Sequence, residues 1–181
     1  SITVPETAKT VLEQIGFEAR NSPYIDSNSG VSARMSITMY ENLVSAAEMR
    51  MLKSGEPKTT IRMADFEAII PAITGKVELV YEGEQLGAEN VAHHLIGSAV
   101  KTTFDELFRP LKKLKKPGVT DEFDAIVQWF MEENDFELTN DSKDKEYAKQ
   151  LDKIKPMDDV LKQYINTIDK NVTTTKLIVK K

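Results

Sequence analysis

The stretch Ser29-Gly30-Val31-Ser32-Ala33-Arg34 places an arginine in the first turn expected of a long helix, directly after a polar loop. A guanidinium is a planar fork of donors matched to phosphate oxygens. A helix N-terminus adds a dipole that favours anions. Together Arg34 and the helix start at Ser32 would form half of a nucleotide-phosphate site. The plainer alternative is a surface arginine paired with Asp26 or Glu6, and spacing alone favours that alternative.

Other chemistry is sparse. His93 and His94 are the only histidines. Adjacent helical positions point about 100° apart, so the two cannot easily share a metal; ordinary exposed or capping roles are expected. There are no cysteines, which excludes disulfides, thiolate zinc sites and cysteine nucleophiles. Gly75-Lys76 is followed by Val77, and position 70 is Ile, so the phosphate-binding Gly-x-x-x-x-Gly-Lys-[Ser/Thr] loop is absent. Neither G-x-G-x-x-G nor H-E-x-x-H occurs. The carboxylates Glu132, Glu133 and Asp135 read as a solvated face. The sequons at Asn140 and Asn171 carry little meaning without a secretory signal. Lys112 to Lys116, four lysines in five residues, suit phosphates, but no aromatics interleave them and a solvated linker is the simpler reading. Arg20 and Arg62 are expected to pair at a surface or interface.

The elements that would hold these residues are mostly helical. Residues 4–20 place Ala8, Val11, Leu12, Ile15 and Ala19 at helical spacing, with Pro5 in the first turn and Thr3 as a cap. Asn21-Ser22-Pro23 ends that helix. The second helix runs from Ser32, as N-cap, to Ser54, with Gly55 as its C-terminal stop. Its expected buried stripe is Ile37, Tyr40, Leu43, Val44, Ala47 and Met51. Thr59 to Met63 reads as an extended connector. Asp65 caps a short helix from Phe66 to about Ile73, shortened or kinked by Pro71. Val77 to Tyr81 reads as either a strand or a buried turn. Residues 88–108 form another helix, in which Gly97 suggests close helix packing. Beyond a boundary at Arg109 to Gly118, Thr120 or Asp121 caps a helix through about Asn134. Two more are expected near Lys145–Ile154 and Asp158–Lys170, followed by a β-branched Thr173–Val179 strand or tail.

Composition agrees with a charged-surface globular protein. The 181 residues are 40% hydrophobic and 29% charged. The net charge, 24 − 29 = −5, opposes whole-surface nucleic-acid binding. At roughly 150 residues per domain this is one domain with an appendage. No apolar run approaches the roughly 18–20 residues needed to span a bilayer and no signal peptide is visible, so a cytoplasmic location and no membrane partner are expected.

Two further stretches carry a resemblance. Gly30-Val31-Ser32-Ala33-Arg34 is followed by Tyr40-Glu41-Asn42-Leu43-Val44-Ser45-Ala46-Ala47-Glu48. A longer run then extends from Asp65-Phe66 through Pro71-Ala72-Ile73-Thr74-Gly75-Lys76 to Glu82-Gly83-Glu84. Together they resemble the C-terminal helical lid of AAA+ ATPases of the magnesium-chelatase and MoxR type, over about residues 1–108. The resemblance implies a mainly α fold: a lid bundle at 1–108, a basic linker at 109–118 and a smaller helical extension at 119–181, with one or two short strands. It implies that Arg34 is the sensor-two arginine, reaching the γ- or β-phosphate of ATP. It also implies a longer parent with an N-terminal ATPase core, ATP and Mg2+ bound there, and neighbouring subunits of a hexameric ring. The start at Ser1 is then that of a fragment, which alone is not an enzyme and holds no cofactor. The competing expectation is a free-standing helical module binding protein or, through Lys112–Lys116, nucleic acid.

Overall fold

A computed structural model describes residues 1–108, 123–132 and 134–168, with the side chains of 163–168 excepted. The expectations at Lys112–Lys116, Thr120, Asp121, Glu133, Asn171 and Thr173–Val179 lie outside the described residues. What is described is mainly helical, with one two-stranded parallel ladder. Among the described residues no helix is long and apolar enough to cross a membrane.

The chain starts in β1 (Ile2–Thr3), which pairs in parallel with β2 (Thr59–Thr60), Ile2 opposite Thr59. Thr3 is therefore a strand residue and not a cap; Pro5 occupies the N-cap of α1 (Glu6–Asn21). Proline suits that position because its missing N–H costs the helix no bond. The expected stripe of α1 is buried throughout: Ala8, Val11, Leu12, Ile15 and Ala19.

α2 (Ala33–Ser54) has the expected ends. Ser32 is the N-cap, its hydroxyl accepting the Arg34 backbone N–H at 3.2 Å, and Gly55 closes the helix at φ 70°. An αL residue at this point is what glycine accommodates without a Cβ clash. The buried stripe is rotated from the expected one. It runs Met35, Met39, Leu43, Ala47 and Arg50, whereas Ile37 and Tyr40 are exposed. Apolar residues occur on more than one side of α2, so periodicity alone does not fix which side faces the core.

A 3₁₀ segment, Met63–Ile69, leads into α3 (Ile70–Thr74), with Pro71 accommodated in its first turn. Asp65 is not the N-cap expected before Phe66: Arg62 holds that position, and Asp65, three residues into the segment, accepts the Arg62 N–H through Oδ2 at 2.7 Å, a local bond that draws the helical start back to Met63. Val77–Tyr81 is neither a full strand nor a buried turn. Leu79 makes a single antiparallel bridge to Ile25, and Tyr81 opens α4 (Tyr81–Leu86). α5 (Ala88–Leu107) follows and packs chiefly on α1. Gly97 is exposed on it, and a Cβ there would meet no described atom within 4 Å, so close packing does not explain that glycine.

α1, α2, α3 and α5 bury one core, which includes Ile15, Met35, Met39, Leu43, Phe66, Ile69, Ile73 and Leu95. The later helices are α6 (Asp124–Met131), α7 (Asp144–Leu151) and α8 (Lys155–Ile168). Their small clusters involve Phe104, Phe108, Trp129, Phe136, Tyr147, Ile154 and Leu161; among the described residues these share no buried member with the main core.

Candidate functional site

The loop before α2 is built to hold its shape. Asp26 Oδ1 accepts the Asn28 backbone N–H at 2.8 Å, a local turn typical of aspartate. The Asp26 N–H donates to the Glu78 carbonyl at 2.9 Å, and the Val80 N–H to the Tyr24 carbonyl at 3.1 Å. The Ser29 hydroxyl bonds the Glu78 carboxylate. Gly83 is buried so closely beneath this loop that a Cβ would lie 2.3 Å from the Tyr24 carbonyl oxygen. Gly30, at φ 67°, turns the chain into α2. The segment Glu78–Gly83 thus braces the loop that carries Gly30 and Ser32.

At the top of this platform Arg34 is exposed. Both carboxylates that would have tied it down are engaged elsewhere. Glu6 accepts from Lys9 at 2.6 Å, which holds the Lys9 ammonium above its ordinary value, and Asp26 serves its own turn. Among the described residues the Arg34 guanidinium has no carboxylate within salt-bridge distance. Its donors are free for a ligand from outside the chain. Ser32 is exposed too, but its hydroxyl is committed to capping.

The opposite end of α2 holds a site that spacing did not reveal. Arg50 is buried, and its Nε and Nη2 bond the two oxygens of Asp65 at 3.2 and 2.9 Å. The remaining donors go to the Thr59 hydroxyl at 2.7 Å, the Thr60 carbonyl at 2.8 Å and Asp144 at 3.4 Å. Arg62, expected to pair at a surface or an interface, is fully buried, so the surface alternative does not hold. Its Nη2 donates to Asp144 Oδ1 at 2.6 Å and its Nη1 to the Asn140 carbonyl at 3.2 Å. The guanidinium lies 4.2 Å from the Tyr147 ring centroid, a cation–π distance. Burial pushes the Tyr147 phenol above the usual tyrosine range, against the lowering influence of Arg62. The signal in the sequence was a cation three residues after Ala47 on the buried stripe, and another between Ile61 and Met63. Buried arginines require paired acids.

His93 and His94 do not join into a site. His93 lies 3.9 Å from the exposed Glu67 and His94 stands edge-on to Tyr24. Among the described residues no group of three or more metal-ligating side chains is placed to hold an ion. Glu132 and Asp135 are exposed, and Arg20 is exposed over Phe17. An apolar cavity of about 350 Å³ lies among Phe104, Phe108, Phe123, Phe136, Met157 and Leu161, with no charged group on its wall among the described residues.

Against protein-family models, curated proteins and solved structures alike, the chain finds no match.

Proposed function

We propose that this chain is the helical lid, with a helical extension, of a cytoplasmic AAA+ ATPase of the magnesium-chelatase and MoxR type. Arg34 is its sensor-two residue. The observation that carries the reading is the free guanidinium of Arg34, in the first turn of a capped 22-residue helix that follows a braced loop. A cation already paired to its own fold would be a poor phosphate ligand. One that is exposed and unpaired, its Cα placed by a capped helix, has its donors available for one.

Two stretches that carry the resemblance meet physically. Glu78 and Gly83, from the second, support the loop that bears Gly30–Arg34, from the first. Asn42, also within the first, donates to the Ala68 carbonyl of the second at 3.2 Å. The lid reading gives both stretches one purpose, the placement of Arg34.

The residues fit ATP in part. Arg34 would supply donors to the γ- or β-phosphate and stabilise charge on the transferring phosphoryl group. Mg2+ and the other phosphate ligands belong to an ATPase core elsewhere in the longer protein, in a hexameric ring whose neighbouring subunits the lid contacts. The lid transmits the state of the nucleotide by rotating with it, and the isolated chain is expected to hydrolyse no ATP. In the full-length protein, Arg34→Ala should lower ATP turnover by about 10²–10³-fold, the usual cost of one lost electrostatic contact. Unchanged turnover would overturn the assignment.

A further inference from the structure

We draw no further inference here: the strongest candidate, the apolar cavity of about 350 Å³ walled by Phe104, Phe108, Phe123, Phe136, Met157 and Leu161 where the end of α5 meets α6 and α8, carries nothing because nothing in the structure shows what covers it.

Discussion

One helix carries two arginines with opposite fates. Arg34 stands exposed in the first turn of α2, its guanidinium without a carboxylate partner among the described residues. Arg50, in the last turns, is buried and bonds Asp65, Thr59, Thr60 and Asp144. The difference lies in what surrounds each end. At the start of α2 the nearby acids are consumed by Lys9 and by the Asp26 turn. At its end, Asp65 is aimed inward by its own capping bond to the Arg62 N–H. A buried cation satisfied on every side is part of the fold, whereas an exposed, unpaired one is available to something outside it.

The contrast can be broken most forcefully at the buried end. Asp65→Ala leaves Arg50 in the interior without its fork partner and should cost about 3–5 kcal/mol of stability, measured by denaturant unfolding. A loss comparable with a surface pair, under about 1 kcal/mol, would mean that Arg50 is not truly sequestered. The braced loop comes next. Gly83→Ala forces the Tyr24 carbonyl to move, because the new Cβ would lie 2.3 Å from its oxygen. Overpacking of this kind typically costs about 1–3 kcal/mol, and the exchange of the Tyr24–Ser29 amides should rise with it.

A smaller effect concerns Tyr147. Its folded phenol titrates above the ordinary value of 10.0 because it is buried. The unfolded chain therefore ionises first as pH rises. The contribution is intact below pH 10 and is lost as pH climbs through the folded value. Tyr147→Phe keeps the ring beneath Arg62, so stability near neutrality should hold while the loss above pH 10 becomes shallower. An unchanged alkaline slope in a stability–pH series would contradict the assignment.

How far the sequence carried these conclusions differs by element. The ends of α2 were legible because Ser32 and Gly55 act through local hydrogen bonds and backbone angles. The face of α2 was not, because Ile37 and Tyr40 are as apolar as Met35 and Met39 and only neighbouring elements choose between them. Arg34 was legible as a candidate from its place after the loop; its lack of a partner was not. The role of Arg62 was hidden altogether, since its partner Asp144 lies 82 positions away. The bracing by Gly83 was hidden as well, being a contact between a backbone carbonyl and the absence of a side chain. Local chemistry reads from sequence, whereas long-range pairing and burial require the fold.

The central claim rests on Arg34 and is tested most directly by pairing two readouts on the full-length protein, Arg34→Ala against wild type. Loss of an exposed, unpaired side chain should change unfolding stability by no more than about 0.5 kcal/mol, while ATP turnover falls by about 10²–10³-fold. Turnover equal to wild type, with the fold intact, would contradict the account.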